Sequence, residues 1–299
     1  MANEMTATTM ATYLPDVWSQ LASIVYRTNV VIPDLVDRRW EPELPPGRGD
    51  IVNVPLFGQN TSASKRTTFG TLAALTWSAL TDVQRQIAVN QMAYKGFVMP
   101  LEMNVQKMAM YDTLLTDGIG QACAIQVDSE LAADTTNGFD GYSTVVGTDN
   151  IDITDDNILT CETNLNNANA PLEWRYLVVS PASYGSMMKI DVLRNQMYRD
   201  SVGNLAGDKG AGYRGKVYTF DVYMSNNLEA GAAGKKNAAF QREATALIMQ
   251  QNLKIVEEIS LSGSSGTAGA YGFAKIVAGY VVYGFLEMKD DHGNELDGK

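Results

Sequence analysis

Between Asp50 and Met99 the sequence sets two strand-like runs, DIVNVPLF at 50–57 and QIAVNQMAYKGFVM at 86–99, on either side of a long insertion. The insertion, QNTSASKRTTFGTLAALTWSALTD, carries no clear helical or strand period. Connections of this length are uncommon inside compact domains, and they are usually functional or disordered. Two strands with a distal tip make a projecting hairpin. Such a pair cannot bury both faces by itself, so it needs a partner. Pro55 cannot donate to a ladder and places the first strand at a sheet edge.

The segment before the hairpin poses the same problem. Residues 1–45 read as an arm in which Asp16 caps a helix carrying Trp18, Leu21, Ala22 and Val25 on one face. Pro33, Pro42, Pro45 and Pro46 then favour an extended path. An arm with apolar anchors and little core of its own lies on something else.

The rest of the chain reads as mixed α+β. Leu101, Val105, Met108, Leu115, Ile119 and Ala122 recur at near-helical spacing, so 101–133 is expected to be one long strut, bent at Gly118 and Gly120. Residues 137–246 suggest an α/β lobe. Thr154 caps a helix from DDNILTCETNLNNA, RYLVVS at 175–180 is a buried strand, and Ser180-Pro181 starts the helix ASYGSMMKIDVLRNQM. KVYTFDVYM at 216–224 alternates as one strand with Tyr218, Phe220, Val222 and Met224 on one face. A final β pair, LKIVEEISL and FAKIVAGYVVYGFLEMK, has Gly279 and Gly284 as breaks or kinks. The polar end, KDDHGNELDGK, reads as a mobile tail.

Chemistry is sparse in this sequence. The single histidine, His292, sits in that tail, which leaves no histidine placed as a general base or metal ligand. Cys123 and Cys161 have no metal spacing and read as buried free thiols. A net charge of −11 excludes a basic nucleic-acid-coating surface but not a wall that encloses DNA without gripping it. No run approaches ~20 apolar residues, so nothing is expected to span a membrane. The start of the chain lacks the pattern of a signal peptide.

Three motifs lose to plainer readings. Gly210 to Lys216 has the spacing of a phosphate loop, but Val217 stands where a Ser or Thr should, and a strand follows where a helix is required. Its glycines fit a mobile loop instead. Arg48-Gly49-Asp50 reads as a turn entering a strand rather than an adhesion tripeptide. DNIDITDDN lacks the glycine and glutamate of a calcium loop and suits a helix cap. No cofactor and no catalytic set is expected.

The order of parts, together with TYLPDVWS, GDIVNVP, LVVSPASYGSMMK and YRGKVYTFDVYMSNNL, resembles the major capsid proteins of tailed double-stranded DNA bacteriophages, the Hong Kong 97 capsid fold. The phrase ending in Gly212, Gly215, Phe220, Val222, Ser225, Asn226 and Leu228 is similar to one that leads into a strand of the axial lobe in that family. The resemblance implies an N-terminal arm at 1–45 and an E-loop at 46–96. It implies a peripheral domain with a spine helix at 97–136 and 253–282, and an axial domain at 137–252 and 283–291. Residues 292–299 are the tail. The glycine loop at 203–215 would serve five- and six-fold packing.

The resemblance also implies a homo-oligomer of hexamers and pentamers in an icosahedral shell. The shell would be assembled in a host bacterial cytoplasm and would enclose DNA without sequence-specific binding. No scaffolding segment precedes the arm, so a separate scaffolding protein is expected, with a portal and possible decoration proteins. Crosslinking is not expected. Expected inter-subunit contacts are Trp18 and Leu21 in the arm, Phe57, Lys65, Arg66, Phe69 and Trp77 in the hairpin, and Tyr213 and Tyr218 near the axial loop. The competing readings are an encapsulin-type shell, a phosphate-binding enzyme using the 210–216 loop, and a tail or decoration protein.

Overall fold

The computed structural model describes residues 30–47, 49–57, 82–106, 110–195, 212–260 and 274–299. The first part of the chain holds α1 (Ile32–Leu35), β1 (Ile51–Phe57), β2 (Asp82–Ala88), β3 (Gln91–Pro100), α2 (Leu101–Gln106) and α3 (Met110–Ala133). Next come β4 (Val145–Gly147), α4 (Asp155–Asn167), β5 (Arg175–Val179), α5 (Pro181–Met187), β6 (Tyr213–Val217) and β7 (Phe220–Met224). The last part holds β8 (Lys235–Gln241), β9 (Thr245–Ser260), β10 (Ala274–Glu287) and β11 (Gly293–Gly298).

These strands form three sheets among the described residues: β1-β2, β3-β10-β9 and β4-β11-β8-β5-β7-β6. The mixture of long antiparallel strands, one spine helix and a separate mixed sheet is the α+β organisation expected.

The spine α3 spans about 36 Å at 1.5 Å per residue and packs on the β3-β10-β9 sheet. Ile119, Cys123, Val127 and Leu131 recur every fourth residue and are buried against Ala93, Val277 and Val281. The helix runs unbroken through Gly118 and Gly120, and of the face expected over 101–122 Ile119 is buried while Leu115 and Ala122 are only half-buried. Val105 in α2 is 83% exposed.

Both glycines of β10 have a packing purpose, and the strand passes through them without a break. A Cβ on Gly279 would lie 2.4 Å from Ile119 Cγ2 of the spine. One on Gly284 would lie 2.1 Å from the Ala88 carbonyl oxygen, where the chain passes from the hairpin to the sheet. That crossing explains another difference. The expected strand at 86–99 is two strands in two sheets: Asp82–Ala88 pairs with β1, and Gln91–Pro100 pairs with β10.

The six-stranded sheet is buried on both faces at its centre. Tyr176 and Val178 of β5 face the spine-side core, whereas Leu177 and Val179 face α4 through Ile158, Cys161 and Leu165. Two helix starts match the capping expectation. Thr154 Oγ1 accepts the Asn157 amide at 3.3 Å, and Ser180 Oγ accepts the Ser183 amide at 3.0 Å ahead of Pro181. The second helix is shorter than expected, since α5 ends at Met187 and a separate helical stretch covers 191–195.

Residues 216–224 do not form one strand. The chain reverses at Tyr218-Thr219, with Val217 opposite Phe220. Tyr218 takes φ 50° in the reversal.

The polar tail is also corrected. Residues 293–298 form β11, inserted between β4 and β8. Leu296, Asn294 and Glu295 are buried, and polar partners satisfy the latter two. Asn164 Nδ2 donates to Asn294 Oδ1 at 3.2 Å, and Lys236 lies 3.0 Å from Glu295 Oε1. Ser180 and Ser183 hydroxyls donate to the Lys299 carbonyl at 2.7 and 2.6 Å.

The root of the arm lies on this chain's own body. Val31, Ile32, Leu35 and Val36 enter the spine-side core, and Leu44 packs with the hairpin base. Asp37 bridges to the edge of β9: its amide donates to the Thr245 carbonyl at 3.0 Å, and the Leu247 amide donates to its carbonyl at 2.9 Å. Single strands also cross the domain boundaries expected at 252/253 and 282/283, namely β9 and β10.

Candidate assembly surfaces

Among the described residues no group of three or more His, Cys, Asp and Glu side chains could hold a metal. Cys123 and Cys161 are buried free thiols, and burial pushes the Cys161 thiol up to about 12. His292 is buried rather than loose, and burial, with the nearby Lys289 charge, lowers its pKa. Lys216 sits exposed in β6 opposite Asp221. A hairpin turn follows it, so no helix N-terminus is present to hold a phosphate.

The acidic run 149–157 serves folding. Asp155 and Asp156 occupy the first turn of α4, where the helix dipole favours them. Hydrogen bonds from Lys299 and Ser186 hold the Asp152 carboxyl down at about 2. Gly47 and Gly49 take φ 88° and 117° in the turn that enters β1, while Arg48 lies outside the described residues. An open hollow of about 320 Å³ at the hairpin root is lined by Arg38, Glu41, Leu44, Met249 and three prolines. None of its residues is an activated nucleophile.

What remains is unpartnered apolar surface. The hairpin β1-β2 is rooted by Val52, Val54 and Ile87, which pack on Leu44, Ala246, Ile248 and Met288. Beyond that root Gln84, Arg85 and Gln86 are all exposed, so the pair leaves the body.

The β3-β10-β9 sheet has one face on the spine and the other open. Cross-strand register places Tyr94, Tyr280 and Lys254 in one row of that open face. The next rows are Gly96, Ala278 and Val256, then Val98, Ile276 and Glu258. Tyr94 is 74% exposed, and Met92, Val98 and Val256 are exposed beside it. A three-stranded sheet with such a face normally has it covered.

Of the expected contact residues, Trp18, Leu21, Lys65, Arg66, Phe69 and Trp77 lie outside the described residues. Phe57 ends β1 opposite Asp82. Tyr213 is buried inside the chain, edge-on to Tyr223 with ring centroids 5.5 Å apart. Tyr218 is half-buried, and its hydroxyl donates to Asp155 at the start of α4. Desolvation and that bond push the phenol up to about 12. The two tyrosines are thus engaged within one chain.

The open face with Tyr94 was missed because the polar Gln91 and Lys95 of QMAYKGFVMP share the parity of the spine-facing Ala93, while the open parity carries apolar Met92, Tyr94 and Val98. The alternation therefore points to the wrong side as the covered one.

No family model matches the sequence, and no curated protein matches it. The fold does have close counterparts among solved structures. A chain from Mycobacterium phage Che8 agrees with TM-score 0.71 at 19% identity, over 96% of this chain and 98% of that one. A chain from Gordonia phage Cozz agrees with TM-score 0.69 at 17% identity, over 100% and 96%. A chain from the capsid of a native GTA particle, computed with C5 symmetry, agrees with TM-score 0.69 at 11% identity, over 100% and 99%. At these identities the agreement is one of fold. Across nearly the whole chain the fold is Hong Kong 97-like.

Proposed function

We propose that this chain is the major capsid protein of a tailed phage: a structural, non-enzymatic subunit that builds an icosahedral shell around double-stranded DNA. The observation that carries this reading is the fold agreement over nearly the whole chain with solved chains that include phage and GTA capsids. The unfilled surfaces fit it. A hairpin that leaves the body and an apolar sheet face with no cover are both expected of a subunit whose burial is completed by sister copies.

The mechanism is geometric. Each contact is weak, and a closed lattice multiplies many of them. The arm before Val30 and the hairpin beyond Phe57 reach neighbours, while the spine and the six-stranded sheet keep each subunit rigid. Hexamers and pentamers, a separate scaffolding protein and a portal belong to this reading. DNA is enclosed without sequence recognition, as suits a chain of net charge −11.

Expression of the full chain followed by negative-stain microscopy tests the reading. Closed shells of uniform curvature are the expected result. Monomers at high concentration with no lattice would overturn it, and particles filled with a protein cargo but no nucleic acid would assign a nanocompartment shell instead.

A further inference from the structure

The turn between α4 and β5 holds two large apolar side chains out in solvent: Leu172 is 67% exposed and Trp174 is 58% exposed. The chain is heavily braced to do so. Helix α4 ends in a Schellman motif, with Asn169 at φ 56° and the Ala170 amide donating to the Leu165 carbonyl at 2.9 Å.

Arg175 is 1% exposed, and its guanidinium is spent on the turn's backbone. Nε donates to the Pro171 carbonyl at 2.9 Å and Nη2 to the Ala170 carbonyl at 2.8 Å. It makes no close ion pair among the described residues, Glu162 being the carboxylate whose charge acts on it, and Nη1 has no partner there. Burial lowers its pKa.

Trp174 itself takes φ 60°, a left-handed conformation that non-glycine residues rarely adopt. Its carbonyl accepts the Arg242 amide at 3.0 Å, and the Arg242 guanidinium lies 5.4 Å from its ring centroid.

Each of these features costs the isolated subunit stability. A buried arginine that lacks a close ion pair is costly to desolvate, with Glu162 offsetting only part of it, a bulky residue at positive φ is strained, and two exposed apolar side chains gain nothing from water.

We infer that the Pro171–Trp174 knuckle is an inter-subunit knob, inserted into a second copy of this chain within the shell. The inference rests on the capsid reading. Its occupant follows from two observations. The chain shares the fold of a capsid solved with five-fold symmetry, and ring closure requires two different surfaces of each copy to meet. Each copy also carries a net charge of −11, so self-contacts must gain from apolar burial rather than from net charge attraction. Knobs enriched in tryptophan are the usual centres of such contacts.

The test uses the full chain and Trp174→Gly. Glycine adopts φ 60° without strain, so the unassembled variant should melt at or above the wild-type temperature. Its shells should require about tenfold more protein to form, as loss of a central tryptophan predicts. Hydroxyl-radical footprinting of wild type supplies a measurement that needs no variant: oxidation of Leu172 and Trp174 should fall several-fold on going from free subunits to shells. Assembly of Trp174→Gly at wild-type concentrations, or equal oxidation of Trp174 in shells and free subunits, overturns the inference while leaving the capsid reading intact. Absence of wild-type shells overturns both.

Discussion

The carboxylate of Asp128 on the spine accepts the backbone amide of Ile32 at 2.8 Å, fixing where the arm leaves the body. The same group also accepts Val31 N–H at 3.2 Å and Asn227 Nδ2 at 2.7 Å. One fully buried side chain therefore ties the arm root to the spine and to the strand exit after β7. Burial raises its pKa despite these bonds.

Replacing Asp128 by Ala should leave two buried amides and two side-chain donors, Asn227 Nδ2 and the Ser225 hydroxyl, without this acceptor, costing about 3 kcal/mol. Chemical denaturation measures this. Hydrogen exchange at residues 31–36 should accelerate more than exchange in β5, and uniform acceleration would show that Asp128 does not hold the arm specifically.

The close approach of Ile119 to Gly279 predicts a compensating pair. Gly279→Ala places a methyl where Ile119 Cγ2 lies, an overpacking cost of about 1–3 kcal/mol. Ile119→Ala opens a cavity and costs about 2–5 kcal/mol. The double variant should be more stable than the sum of the two single losses implies, a non-additivity read from a thermal double-mutant cycle.

Lys236 lies between Asp140 and Glu295, and the three side chains are 28%, 10% and 6% exposed. Desolvation opposes its charge, but the two carboxylates outweigh this and raise its pKa. Lys236→Met leaves the two acids facing each other without a cation and should cost about 3 kcal/mol at neutral pH. Urea midpoints measure the loss, which should shrink as the pH is lowered and the acids protonate.

A buried histidine and a half-buried glutamate, His292 and Glu287, predict opposing pH slopes. Burial holds His292 below its ordinary 6.5, so the unfolded chain binds that proton more readily and stability falls as pH drops below 6.5. Burial, with Asp290 beside it, lifts Glu287 from 4.5 to about 7. The folded chain binds that proton more readily, so its contribution is complete below 4.5 and is lost as pH rises through about 7. His292→Gln should therefore leave a stability that declines with rising pH between about 5 and 7, and Glu287→Gln one that increases. Unchanged slopes in both variants would rule out these two groups as the source.

Removing residues 58–81 and joining Phe57 to Asp82 with a short glycine turn should leave the body folded, because the hairpin root is held by Val52, Val54 and Ile87. Shells should not form. Far-UV circular dichroism and microscopy together check both halves, and normal shells would contradict the assembly reading.

Local chemistry was legible from the residues alone. Thr154 and Ser180-Pro181 mark helix starts because a cap is made within three residues of itself, and RYLVV marks a strand buried on both faces because no polar residue interrupts it after Arg175. The hairpin's first strand was legible for a related reason, as an alternating run before a long insertion, whereas its second strand, Asp82–Ala88, was merged with Gln91–Pro100 of another sheet.

The tertiary structure alone decided the rest. Nothing local in GNELDG announces a buried strand, since Asn294 and Glu295 are tolerated there only because Asn164 and Lys236 lie beside them. Nothing in VYTF shows that the chain turns back at Tyr218, whose hydroxyl finds Asp155 more than sixty residues away. Gly279 and Gly284 look like strand breakers until Ile119 and Ala88 are seen to fill the space their missing side chains leave. Capping, patterning and turn chemistry act over a few residues and can be read in order. Burial of polar groups and close backbone approach depend on partners that only folding brings near.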